Sequence, residues 1–243
     1  MSKLFQVRWD LTDVIVVLFV VAVTIFGAYG VLEYVVGPAA FRLPPEVFLI
    51  GLGLFQAVIL IVPIVGILIV KKGKWSFKEF GLAKKGILKG IPQALAAYLV
   101  YIAIAIFIML IILYADLHIP GYQIQEPIIP AFKNSLAAMT IMGIITMIVA
   151  PLTEEVFFRG FVLQGLGNKF NPVLAALLTA GIFAMFHIQF GSFIPLFIIG
   201  LVLSVLFIHT KNLWACIWFH LINNAVAFLI QLMFAYEMIP TDF

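Results

Sequence analysis

Seven apolar runs, each about long enough to cross a bilayer, dominate the sequence: 14 to 36, 47 to 70, 88 to 115, 136 to 166, 172 to 190, 193 to 209 and 213 to 235. A spanning helix needs about 20 mostly apolar residues, so a chain of 243 residues has little left for anything else. Backbone inside hydrocarbon must satisfy its own hydrogen bonds, and no run alternates as a barrel strand does, so each run is predicted to be a helix. The predicted fold class is therefore all-α, a polytopic transmembrane helical bundle of about seven spans. The whole chain, 1–243, is expected to form a single integral membrane domain, with the informative polar residues concentrated in 136–235.

Composition excludes a soluble domain: 10% of residues are charged and the mean hydropathy is +1.21, whereas about 25% of residues are charged in soluble proteins. A net charge of +3 does not point to nucleic acid, because the basic residues flank apolar runs instead of lining a polar face. The expected partners are membrane lipids and a membrane-associated protein or peptide, with no nucleic acid. The lone cysteine, Cys216, rules out a disulfide framework and a multi-cysteine metal site.

Lys3 and Arg8 precede the first run, and Lys71, Lys72, Lys74, Lys78, Lys84, Lys85 and Lys89 lie between the second and third. The alternate connections carry only Arg42 and Lys133 with several acidic residues, which predicts a cytoplasmic N terminus, with the plasma membrane as the default location. The segment 71 to 89, with Trp75, Phe77, Phe80 and Leu82 among its lysines, reads either as an amphipathic stretch on the anionic leaflet or as a solvated loop.

An ionisable group at the bilayer centre costs roughly 2.5 to 3.5 kcal/mol, so each one needs a partner or a function. The densest set is Thr153-Glu154-Glu155-Val156-Phe157-Phe158-Arg159, inside the fourth run. Glu155 and Arg159 are four apart and share a helix face, whereas Glu154 lies roughly 140° around the helix from Arg159 and is left for general-base work. The bland alternative is that both glutamates pair with Arg159 and lock helices together. Pro151 is expected to bend or break the helix just before the motif. His187 closes Phe183-Ala184-Met185-Phe186-His187 in the fifth run, and His220 and Asn224 stand one turn apart in the last run. Counting about 1.5 Å per residue from the cytoplasmic ends puts Glu154, His187 and His220 at depths of roughly 18, 22 and 10 Å, compatible with one cavity.

Glu-Glu-x-x-x-Arg, then Phe-x-x-x-His, then His-x-x-x-Asn, in this order on successive apolar helices, resembles the CAAX protease and bacteriocin-processing (CPBP) family. The matching residues are Glu154, Glu155, Arg159, Phe183, His187, His220 and Asn224, within 136–235. The resemblance implies an all-helical intramembrane endopeptidase, similar to enzymes that remove the last three residues of prenylated C-a-a-X proteins. It implies that Glu154 activates water with help from His187, and that His220 and Asn224 donate hydrogen bonds to the oxyanion. Glu155 and Arg159, with Phe183, are implied to support the motif helix.

Glu154, His187 and His220 also make up a two-histidine, one-carboxylate set of the kind that binds zinc, and the family has been described both as metallopeptidases and as glutamate peptidases. The compact His-Glu-x-x-His helix of zincins is absent, so the favoured expectation is metal-independent catalysis and no cofactor is firmly predicted. A cysteine mechanism through Cys216 and His220 is the weaker chemical alternative. A different class is a non-catalytic scaffold or bacteriocin-immunity-type protein using the same buried polar cluster.

Overall fold

The computed structural model describes residues 5, 7–31, 34, 43–71, 75–115, 135–187 and 190–238. Among them every regular element is helical: α1 (Leu11–Val31), α2 (Pro45–Val70), α3 (Gly86–Tyr114), α4 (the continuous run Leu136–Gly167), α5 (Pro172–Phe186), α6 (Phe193–Thr210) and α7 (Leu213–Ala235). Six of these are long and apolar enough to cross a membrane. The exception is α5, whose 15 residues rise only about 22 Å. The all-α polytopic expectation is met. Lys3, Arg42, Lys72, Lys74 and Lys133, which enter the charge pattern, lie outside the described residues.

The fifth apolar run continues to 190, but the helix stops at Phe186. His187 closes it twice over: its backbone N–H reaches the Ala184 and Met185 carbonyls, and its ring Nδ1 lies 2.8 Å from the Phe183 carbonyl. Carbonyls of the last turn, which a helix end otherwise leaves open, are thereby satisfied without another turn. At the other end, Asn171 accepts from the Leu174 N–H with Pro172 in the first turn, a polar cap followed by a proline already set for helix.

The chain forms two compact units, each assembled from three stretches: Met1–Val7, Ser76–Glu126 and Phe158–Phe219 in unit one, and Arg8–Trp75, Pro127–Phe157 and His220–Phe243 in unit two. In unit one α5 and α6 approach closely at Gly200, where a Cβ would lie 3.0 Å from Ala180 Cα. Likewise α3 meets α7 at Gly90, where a Cβ would lie 2.8 Å from the Ala215 nitrogen. Small residues let apolar helices bring their backbones together where lipid gives no hydrophobic drive for association. Among the described residues of the segment after α2, a 3₁₀ turn, Phe77–Phe80, buries Phe80 and leaves Phe77 and Lys78 exposed, as Trp75 is just before it. Gly81 ends that turn at φ 82, in the left-handed region glycine enters without strain.

Unit two holds α1, α2, the first part of α4 and the second part of α7. Its cytoplasm-expected end is tied by Lys71, which lies 2.8 Å from Asp13 and 3.6 Å from Asp10. Further along, Ser135 caps α4 through the Ala138 N–H and donates its hydroxyl hydrogen to Glu46 at the start of α2. Leu49, Ala138, Met142 and Ala235 form a buried core on which Phe228 and Leu232 pack. Beside it, Gly53 admits the Ile145 side chain, and an entirely apolar groove of about 260 Å³ runs past Ile50, Leu54, Ala57 and Val149.

Candidate active site

The motif helix is not a regular α-helix. Ala150–Glu155 is a short α stretch between two π stretches, Ile145–Val149 and Val156–Val162. In π register a backbone N–H donates to the carbonyl five residues back, and such insertions cluster at functional sites. Of the bend or break expected at Pro151, no break occurs: the helix continues with a change of register. Ala150 N–H donates to the Ile145 carbonyl. The next acceptor in that register is Thr146, and Pro151 has no N–H to give it. The Asn224 side chain supplies the missing donor, its Nδ2 lying 2.9 Å from the Thr146 carbonyl. One N–H of the Asn224 amide is thus fixed by backbone, and its Oδ1 accepts from Asn223 at 3.4 Å.

Both glutamates are buried and differ in their partners. Glu155 Oε1 lies 2.8 Å from His220 Nδ1, an ion-pair distance between two buried groups. Glu154 Oε1 accepts from Gln56 Nε2 at 2.7 Å. The second oxygen of Glu154, Oε2, is buried without a hydrogen bond and stands 3.8 Å from His220 Nε2. One carboxylate therefore orients the imidazole while the other presents an oxygen to its far nitrogen. Glu154, Glu155, His220 and Asn224 all lie within unit two.

Arg159, Phe183 and His187 belong to unit one. Arg159 is fully buried, donates from Nη2 to the Gly200 carbonyl at 3.0 Å, and carries its guanidinium 4.7 Å above the Phe183 ring. Phe183 packs edge-on against Phe158, touches the His187 ring at 4.7 Å, and gives its carbonyl to His187 Nδ1. The Phe-x-x-x-His spacing is the i to i+4 distance that this bond requires. Cys216 is buried with its thiol directed at the Leu203 carbonyl, 3.5 Å away, in the manner of a packing residue. Tyr98 and Tyr101 stack edge-on against Phe219, whereas Tyr114 is 90% exposed.

Sequence reasoning missed Gln56, although a signal was present: it is the only polar side chain on α2 between Glu46 and Lys71. By counting along one helix it paired Glu155 with Arg159 and did not foresee His220, which the structure places in hydrogen-bond reach of Glu155. The zinc option fits poorly. Of the atoms this set could offer, Glu154 Oε1 and His220 Nδ1 are already engaged in hydrogen bonds. Among the described residues no group of three or more His, Cys, Asp or Glu side chains stands where it could hold a metal ion.

Residues 134–226 match the family model described as type II CAAX prenyl endopeptidase Rce1-like, so the resemblance carried by the motifs is borne out over that stretch. The chain is also similar to "Putative membrane peptidase YdiL" of Bacillus subtilis (strain 168), at 29% identity over 102 residues. That match spans 42% of this chain and 42% of the relative's length. No solved structure matches the chain.

Proposed function

We propose that this integral membrane protein is an intramembrane endopeptidase, acting on membrane-associated substrates of the prenylated C-a-a-X type through a water activated by Glu154. The observation that carries the proposal is the buried Glu154 Oε2, without a hydrogen bond and facing His220 Nε2 at 3.8 Å, while each group's other polar atom is already held. A water bridging the two from one side would find a proton acceptor in the carboxylate. With its proton passing to Oε2, the water oxygen attacks the scissile carbonyl carbon and the carbonyl oxygen becomes the oxyanion. Asn224, its amide fixed by Thr146, keeps a second N–H for that oxyanion, and His220 in its imidazolium form donates from Nε2. Collapse of the intermediate breaks the C–N bond, and the proton held by Glu154 goes to the departing amine. The resemblance gives His187 a share in activating the water; its Nδ1 lies 2.8 Å from the Phe183 carbonyl. The lysine asymmetry supports a cytoplasmic N terminus, in the plasma membrane by default.

The test uses the purified full chain in nanodiscs with an internally quenched farnesylated C-a-a-X peptide. Glu154→Gln keeps the shape and removes the base, so turnover should fall by about 10²-fold or more, since positioned general-base groups contribute roughly 10² to 10⁴. Wild-type turnover that persists after exhaustive chelation supports the metal-independent form. A Glu154→Gln variant as active as wild type would overturn the proposal, and so would a wild type that leaves the peptide intact while cellular protein termini show no dependence on Glu154.

A further inference from the structure

From its place on α2 we infer that Gln56 is the positioning residue for the catalytic base: it holds Glu154 by Oε1 and so determines that Oε2 is the oxygen turned to His220 and the water. The inference rests on the peptidase reading above. A primary amide is costly in hydrocarbon, and every other side chain on α2 from Val47 to Val70 is apolar or glycine. Gln56 is half-buried, and its bond to Glu154, at 2.7 Å, joins residues 98 positions apart in the chain.

The chemistry fixes which end of the amide faces the base. An ionised carboxylate can only accept, so Gln56 must present its NH₂ group, and a carboxylate oxygen bonded in this way keeps its direction. Without that bond the carboxyl can rotate, and neither oxygen is committed to the point facing His220. The two oxygens then differ in duty only because Gln56 distinguishes them: Oε1 bonded, Oε2 buried without a hydrogen bond. Gln56 touches neither water nor peptide in this account, and its influence passes entirely through Glu154.

Three variants separate positioning from mere polarity. Gln56→Leu fits an apolar helix and removes the donor, Gln56→Asn keeps the amide but falls one methylene short, and Glu154→Gln supplies the reference for spectroscopy. With the quenched farnesylated peptide in nanodiscs, Leu and Asn should each lower kcat by roughly ten- to a hundredfold, the size of a hydrogen bond to a charged group, with KM within about twofold of wild type. Infrared difference spectra, each protein minus its Glu154→Gln counterpart, should show the Glu154 carboxylate bands displaced in both Gln56 variants. Unmoved bands overturn the inference whether or not the peptide is cut. Moved bands with an unchanged kcat also overturn it, leaving Gln56 as interhelical packing. If wild type itself fails to cut the peptide, the peptidase reading falls, and the infrared bands alone decide whether Gln56 sets the Glu154 carboxylate.

Discussion

Glu155→Gln is the substitution that best distinguishes an orienting glutamate from a supporting one. Glu155 Oε1 and His220 Nδ1 are 2.8 Å apart and both residues are buried, so the glutamine variant retains an acceptor oxygen at the same reach while losing the charge and exchanging the other oxygen for an NH₂ group. A hydrogen bond to a charged group is worth about 1.5 to 3 kcal/mol and a neutral one about 0.5 to 1.5, so the difference is about 1 to 1.5 kcal/mol. His220 meets full negative charge only at the oxyanion, so that difference is felt in the transition state more than in the ground state, and it emerges in kcat. The expected drop is then roughly five- to twelvefold with little change in thermal stability. Glu155→Ala should behave differently, because it leaves the buried ring nitrogen without this acceptor, at a cost of about 1 to 3 kcal/mol in stability. Initial rates across substrate concentration, with unfolding followed by intrinsic fluorescence, measure both quantities on the same preparations. If Glu155→Gln keeps kcat within twofold of wild type while losing as much stability as Glu155→Ala, the orienting role is refuted.

Pro151→Ala restores an N–H that competes with Asn224 for the Thr146 carbonyl, so kcat should fall about fivefold without loss of thermal stability; an unchanged kcat would sink the link between the π register and Asn224. Arg159→Lys replaces a planar guanidinium held by Gly200 and Phe183 with a point charge, and should destabilise by roughly 1 to 3 kcal/mol in denaturant titrations, against which a wild-type midpoint would count decisively. At the Lys71 cluster, the backbone N–H of Asp13, then that of Thr12, and after them Lys71, lower the Asp10 carboxyl below its usual 3.8, while the Asp13 carboxylate raises Lys71 above its usual 10.5. The Asp10 contribution is therefore present above about pH 4 and lost as pH falls through the lowered value, and the Lys71 contribution is lost as pH rises through the raised one. Lys71→Met should abolish the alkaline fall in Tm, and a fall equal to that of wild type would show that other groups cause it.

What the sequence made legible follows from the range of the forces involved. Hydropathy is a property of each residue alone, so the spans could be counted and their ends approximated; α5 came out shorter than its apolar run because His187 closes it with its own ring, an event that hydropathy does not register. The unusual cost of Glu154, Glu155, His220 and Asn224 inside apolar runs is likewise a one-residue quantity, and it was sufficient to select them. Pairings were harder. Counting turns can find a partner for Glu155 on its own helix, but His220 lies 65 positions away and no local periodicity points to it. The same counting assumed an α register through Arg159, whereas Val156–Val162 is π, a choice made by backbone hydrogen bonds that side-chain type barely records. Pro151 was the one visible sign of irregularity, and it was read as a bend or a break because a missing N–H suggests loss. Asn224 uses the carbonyl that this missing N–H leaves open. Gln56 was detectable by the same cost that singled out Glu154, but a neutral amide raises a weaker alarm than a carboxylate. Its significance appears only when two polar groups 98 positions apart are seen to answer each other's desolvation. In a membrane span, then, an isolated uncharged polar residue merits the question already asked of charged ones: which buried group needs it.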